Sequence, residues 1–262
     1  MVNVFGVPFD GTTSYRPGTR FAPAAIRNEF FGIETYSPYL DKDLADIEYS
    51  DLGDIETPFG NTEKVLNMTK DFTEKILSSG NIPLMLGGEH LVTLGVIKAY
   101  KQPVNIIHFD AHADLRDDYL GEKLSHACVM RRCFELGSKI YSFGIRSGDK
   151  TEFTFAKDNT YMQKFNFDTL EDICKKTDKV YLSIDLDVLD SAYFCGTGTP
   201  EAGGVTFNEL NTAIQIVAKN CEIIGADLVE LSPHYDQSGT STALACKVLR
   251  ELILNIDINK EK

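Results

Sequence analysis

Short apolar, β-branched runs alternate with helical periods along this whole 262-residue chain, with no long linker, low-complexity tract or repeat between them. The runs cover residues 2–7, 82–86, 104–109, 139–145, 180–184 and 222–229, with weaker candidates at 47–52 and 161–165. Between them apolar residues recur at spacings of three and four, as Val65, Met68, Phe72 and Ile76 do across 61–77. Further helices are predicted at 91–101, 125–136, 206–219 and 239–256. This alternation predicts one doubly wound α/β domain over 1–262, with a parallel sheet of about eight strands covered by helices on both faces.

Sheets of that kind place ligands beyond the carboxyl ends of their strands, so the residues that follow each run matter most. "IPLMLGG" leads into Glu89-His90, "VNIIHF" into Asp110-Ala111-His112-Ala113-Asp114, "VYLSI" into Asp185-Leu186-Asp187, and "IIGADLV" into Glu230. In an extended segment residues i, i+2 and i+4 point to one side, so Asp110, His112 and Asp114 can converge, as can Asp185 and Asp187. Unpaired burial of so many carboxylates costs several kcal/mol each, so the cluster requires a counter-charge.

With His90 the set holds two imidazoles and four carboxylates, and two divalent cations neutralise it where one leaves it anionic. Oxygen and imidazole donors without sulfur suit Mn²⁺ better than a structural zinc. Taken alone, a D-x-H or D-x-D after a strand is more often a turn or a cap. Three such groups at successive strand ends are hard to explain in that way. Paired metals lower the pKa of a bridging water and generate hydroxide, so the predicted reaction class is hydrolysis.

A net charge of −13 argues against nucleic acid as a partner, which needs a basic face. It suits a cationic substrate, although solubility alone also accounts for it. No apolar run reaches the roughly 18 residues of a membrane span, and "MVNVFGVPFDG" lacks a basic signal-peptide start, which predicts a cytosolic location. The six cysteines show no C-x-x-C spacing and read as reduced, structural thiols.

These motifs, in this order and over nearly the whole chain, resemble the ureohydrolases, the family of arginase and agmatinase, and most of all its agmatinase branch. The resemblance is carried by "GVPFDGTTSYRPGTRFAPAAIR" (6–27), "GGEH" (87–90), "HFDAHADLRDDYLGEKLSHACVMRR" (108–132), "SIDLDVLD" (183–190), "GTGTPEAGG" (196–204) and "DLVELSPHYDQSG" (227–239). It implies a three-layer α/β/α sandwich around an eight-stranded, mostly parallel sheet. It also implies two Mn²⁺ ions with a bridging hydroxide. His90 and Asp114 would serve one ion and His112 and Asp187 the other, with Asp110 and Asp185 bridging. Asp110 would thereby belong to the catalytic centre together with His126 and Glu230.

By the same resemblance Glu230 would pair with the N–H groups of a guanidinium in fork geometry, holding its carbon for attack. His126 would be the proton shuttle that protonates the departing amine. A histidine at a helix start is equally a cap or a core residue, and only the resemblance decides for His126. His108, inside a strand, is expected to pack or hydrogen-bond there, and His234 to line the pocket mouth or serve the structure.

Agmatine is the favoured substrate, giving putrescine and urea. The loop from Leu115 to Ser125 lacks the Asn- and Ser/Thr-rich stretch of arginases, and its Asp117 and Asp118 would form an acidic rim for a second cation. Guanidinobutyrate, guanidinopropionate and arginine remain as alternatives. A one-zinc deacetylase, a two-metal phosphoesterase and a non-catalytic metal-binding protein are rival readings; the donor count disfavours the first, and the scarcity of cations at the strand ends the second. The chain departs from the common family pattern at Glu89, at Ala127-Cys128 and at Ser191, which bears on pocket shape. Family members assemble as trimers or hexamers, so a homo-oligomer is expected.

Overall fold

A computed structural model describes residues 1–260. Its main sheet has eight strands: β1 (Val2–Val7), β2 (Tyr49–Asp54), β3 (Ile82–Gly87), β4 (Asn105–Phe109), β5 (Lys139–Ile145), β6 (Tyr161–Lys164), β7 (Lys179–Asp185) and β8 (Glu222–Val229). All are parallel, in the order β2-β1-β3-β8-β7-β4-β5-β6. The two weakest sequence candidates, now β2 and β6, are the two edges. That explains their weak signal, since an edge strand is only partly covered and keeps polar positions. A short antiparallel pair, Tyr36–Ser37 with Lys42–Asp43, lies outside the main sheet.

Side chains alternate across the sheet with the strand period of two. Val4, Leu84, Leu86, Ile107 and Phe109 face the layer formed by α1 (Ala22–Phe30), α6 (Leu170–Cys174), α7 (Phe207–Asn220) and α8 (Thr240–Lys260). Phe5, Val7, Met85 and Ile106 face the layer of α2 (Thr62–Ser78), α3 (Thr93–Ile97), α4 (Val129–Glu135) and α5 (Lys150–Asn159). Burying each such side chain contributes roughly 1.5–3 kcal/mol, and together they make the expected three-layer sandwich.

The expected helix at 91–101 is shorter, a 3-10 turn at His90–Val92 followed by α3, and that at 125–136 likewise divides into His126–Cys128 and α4. Helices α1, α5 and α6 have no counterpart among the predicted ones. Helix α5, "KTEFTFAKDN", buries only Glu152 and Ala156 and so lacks a clear apolar stripe. Its signal is the capping box of Asp149 and Glu152, where each side chain accepts from the other's backbone. Among the described residues no helix is long and apolar enough to cross a membrane, and all six cysteines are free thiols, five of them buried.

Register decides what meets at the carboxyl edge. Phe109 pairs with Ile184, so Asp110 and Asp185 leave neighbouring strands side by side. Val229 pairs with Asp185, and one residue later Glu230 donates its N–H to the Gly88 carbonyl (3.0 Å).

Candidate active site

Four adjacent central strands, β3, β8, β7 and β4, supply the whole cluster. The segment after β4 stays extended beside the end of β5: Arg146 and Ser147 donate to the Ala111 carbonyl, and Ala113 donates to that of Ser147. It then turns sharply, because Asp114 has a left-handed backbone (φ 53°). Asp114 therefore reaches the cluster through a turn and not through simple strand alternation. Glu230 shares this rare conformation (φ 64°). A non-glycine residue held there costs on the order of 1–3 kcal/mol, which surrounding structure must offset.

His90 Nδ1 lies 3.1 Å from Asp110, 3.2 Å from Asp114 and 3.3 Å from Asp185. His112 Nδ1 lies 3.0 Å from Asp187 and 3.5 Å from Asp110. Asp110 thus belongs to both groups of converging ligand atoms, His90–His108–Asp110–Asp114 and Asp110–His112–Asp187. Asp185 accepts the N–H of Asp187 (2.8 Å), which keeps the two carboxylates beside each other.

The protonation pattern tests whether a cation fits. Ser183 donates its hydroxyl to Asp227 (2.8 Å), so its oxygen accepts from His90 Nε2 (2.9 Å). Asp227 is locked in turn by Thr93 and Tyr181 hydroxyls at 2.8 and 2.7 Å. His90 therefore carries a proton on Nε2, and Nδ1 is the ring nitrogen turned toward three carboxylates, where only added positive charge can sit. That nitrogen is buried and has no hydrogen-bond partner. A lone pair facing carboxylate oxygens is repulsive unless positive charge lies between them, so the donor set fits divalent cations.

Electrostatics agree. Burial, then the charges of Asp187 and Asp110, holds the Asp185 carboxyl well above the usual carboxylate range. Burial would make His90 less basic, yet its three carboxylate neighbours drive it well above the ordinary imidazole value. Both shifts express one demand for added positive charge at the cluster.

A cavity of about 260 Å³ opens over these residues, reached by His112, Asp114, Asp185, His126 and Glu230. The Glu230 carboxylate accepts the backbone N–H of His90 (2.7 Å) and lies 3.9 Å from His126 Nδ1. Burial pushes its pKa well up, with Glu89 and Asp187 adding to the rise, so an incoming cation would be needed to keep it ionised. Burial lowers the pKa of His126, partly opposed by Asp114.

The structure corrects the expectation for the acidic rim. Asp117 is exposed, pairs with Arg132 at 3.1 Å, and does not line the cavity. Asp118 caps the turn at Gly121 instead (2.8 Å). The left-handed Asp114 re-aims the chain beyond it, which strand alternation does not anticipate. The cavity wall also carries Arg116, Tyr119 and the buried Glu152, with Arg116 3.5 Å from Glu152 and over the Tyr119 ring. His234 does not line this cavity and stacks on Phe21. His108 hydrogen-bonds Asp110 (2.8 Å) and Ser142 (3.0 Å), holding a cluster carboxylate from within its strand.

Several supporting roles are not visible in the sequence. Arg146 donates to the carbonyls of Asp187, Val188, Leu189, Glu201 and Ala202, binding the "GTGTPEAGG" loop to the end of β7. From that loop Thr199 donates to Asp187 (3.2 Å). Glu89, fully buried, accepts from Thr12 N–H (2.8 Å), Thr12 Oγ1 and Thr13 Oγ1 (3.2 Å), and burial raises its pKa to about 7 against those hydrogen bonds. Arg146 and Glu89 do stand at strand ends, but nothing local says what they grip.

A model of the arginase family matches residues 1–255 of this chain. An agmatinase of Bacillus subtilis is 48% identical, with 96% of this chain and 90% of the relative covered. The N(1)-aminopropylagmatine ureohydrolase of Thermococcus kodakarensis is 41% identical, covering 94% and 87%. Among solved structures, the agmatine ureohydrolase of Thermoplasma volcanium superposes with a TM-score of 0.91 at 35% identity, covering 99% of this chain and 91% of that one.

Proposed function

The chain belongs to the arginase family of hydrolases, and from that membership we propose that it cleaves the guanidinium group of agmatine to putrescine and urea with two Mn²⁺ ions. The observation that carries this reading is that a buried carboxylate (Glu230) and a histidine (His126) line one cavity together with His112, Asp114 and Asp185, the exposed face of a buried His/Asp cluster. His90 and Asp114 would hold one ion and His112 and Asp187 the other, with Asp110 and Asp185 between them. Divalent ions held there would lower the pKa of a bound water toward neutrality and so supply the attacking oxygen.

The chain's own residues do the rest. Glu230 offers a carboxylate fork to two guanidinium N–H groups, which orients the carbon and offsets the cost of keeping both charges buried. Oxygen adds to that carbon, and the bond from carbon to the alkyl nitrogen then breaks. An unprotonated amide is too basic to leave, so His126, whose Nδ1 faces Glu230, gives its proton to the departing nitrogen.

Agmatine is supported by what the relatives are named for and by Glu152 in the cavity wall, an anion suited to a second cation. Arg116 beside it favours a second reading, a guanidino compound with a carboxylate tail such as guanidinobutyrate, guanidinopropionate or arginine. Urea release from a panel of these compounds separates the two: agmatine should turn over fastest, and turnover of only the carboxylate-bearing compounds sinks the agmatine assignment. We place the enzyme in the cytosol as a homo-oligomer, trimer or hexamer. Sedimentation velocity tests the assembly.

A further inference from the structure

His126 is held from two directions by the loop that follows β1. Its backbone N–H donates to Thr12 Oγ1 (3.1 Å), and the Ser14 backbone N–H donates to its Nε2 (3.2 Å). The Ser14 hydroxyl lies 2.9 Å from the same nitrogen. The loop is anchored beneath by Glu89, which takes hydrogen bonds from Thr12 and Thr13 as described above. Glu89 is itself fixed, since its N–H donates to the Phe9 carbonyl (2.8 Å).

A hydroxyl can act as donor or acceptor, but a backbone N–H can only donate. Opposite Ser14 N–H, Nε2 must therefore present its lone pair, and a neutral imidazole then has its proton on Nδ1. Nδ1 is the nitrogen that faces Glu230, 3.9 Å away. With the opposite tautomer, two N–H groups would oppose each other on the Ser14 side, and a bare nitrogen would face the reaction cavity with no proton to give.

We propose that the Thr12–Ser14 loop, tethered by Glu89, is a positioning element that fixes His126 as the Nδ1–H tautomer, with the Ser14 amide as the deciding contact. This rests on the reading of His126 as the proton donor. The transfer is balanced as a relay through a neutral ring: the Nδ1–H bond breaks as the new N–H bond forms on the departing amine, Nε2 takes a proton from water on the exposed Ser14 side, and solvent exchange then restores the Nδ1–H form. Glu89 acts through the loop and not on substrate, and its length relative to aspartate lets one buried carboxylate reach both Thr12 and Thr13.

The test is a long-range proton–nitrogen spectrum of the full chain with ¹⁵N-labelled histidine. Mg²⁺ is used as the loading ion because it is diamagnetic, and spectra are taken about two pH units above the ordinary imidazole pKa of about 6.5. Five histidines give few signals, and His126→Asn identifies the one of interest. The expected spectrum has a protonated Nδ1 and a bare Nε2 at His126; a protonated Nε2 with a bare Nδ1 overturns the proposal. Ser14→Ala keeps the amide and should keep that pattern, whereas Ser14→Pro lacks it and should show both tautomers. Should the proline variant not fold, Thr12→Val reads the same element. It should lower kcat by about 10- to 100-fold, within the range of general-acid effects, with KM within about threefold. An unchanged kcat in Thr12→Val overturns the loop's role. A protein that releases no urea from any guanidine defeats the functional reading, while the tautomer seen in the spectrum still decides the loop's role.

Discussion

At the scale of single residues the site is built from groups held against their ordinary preferences. Glu230 is buried, left-handed at φ 64° and raised in pKa, all conditions that a plain structural glutamate avoids. Glu230→Gln should therefore fold and retain its metal while losing at least about 10²-fold in turnover, because a misplaced reacting carbon costs that much. Metal analysis alongside urea release checks both halves; unchanged turnover removes Glu230 from the reading. The sequence made this glutamate and the six clustered residues visible because they follow apolar runs directly. It did not make Asp117's partner visible. An aspartate beside the cluster reads as part of it until a helix 15 residues away brings Arg132 to pair with it. The Ser183–Asp227 chain behind His90 was equally hidden, since polar residues inside apolar runs look like breaks in a strand and not like a hydrogen-bonded relay.

At the scale of elements, loops are locked to strands by a few contacts with no slack. A Cβ on Gly88 would lie 1.9 Å from the Phe9 carbonyl oxygen, so the loops after β1 and β3 approach as closely as backbones can. Gly88→Ala should cost about 3 kcal/mol or more, at the upper end of overpacking penalties, as read by urea denaturation. A loss under about 1 kcal/mol would mean that the two loops separate without cost. The entry to α8 depends on Asp236, whose carboxylate takes the Ser241 N–H (2.7 Å) and the Ser238 N–H and hydroxyl. Those hydrogen bonds, with the Ser238 hydroxyl first, hold its pKa down at about 2. For a carboxyl depressed in the folded state, the stabilisation is present above about pH 4 and is lost as pH falls toward 2. Asp236→Asn should therefore be less stable than the parent by about 1–2 kcal/mol near neutrality after solvent screening, with the gap narrowing below pH 4. Unfolding curves at pH 7 and pH 3 check the sign, and a gap that stays constant between them contradicts it. Of the elements, strands with both faces covered were the most legible. Helix α5 was not, because its start is written in capping residues and its packing in only a few apolar ones.

At the scale of the whole molecule, one end of the sheet holds four carboxylates that the fold brings together at an electrostatic cost. Bound cations remove that cost, so chelation should destabilise the entire domain and not only the cavity. Each ion present at about 100 times its dissociation constant contributes about 2.7 kcal/mol, so two contribute about 5 kcal/mol, or roughly 10–20 °C in melting temperature for a chain of this size. Calorimetry before and after chelator treatment measures it, and a melting point unmoved by chelator would show that the cluster tolerates its charge unaided. The alternation of strands and helices, the residues at the carboxyl ends and the charge to be balanced are all readable from the chain alone. These are local properties, set by periodicity and by which residue follows which. Folding in three dimensions sets the strand order β3-β8-β7-β4, which inserts the last two strands between segments that precede them in the chain. It also fixes the register that sets Asp110 beside Asp185, the left-handed turn that withdraws Asp117, and the loop whose amide faces His126. Those depend on hydrogen bonds between distant residues, His90 and Glu230 being 140 positions apart, and local sequence carries no record of a partner that distant.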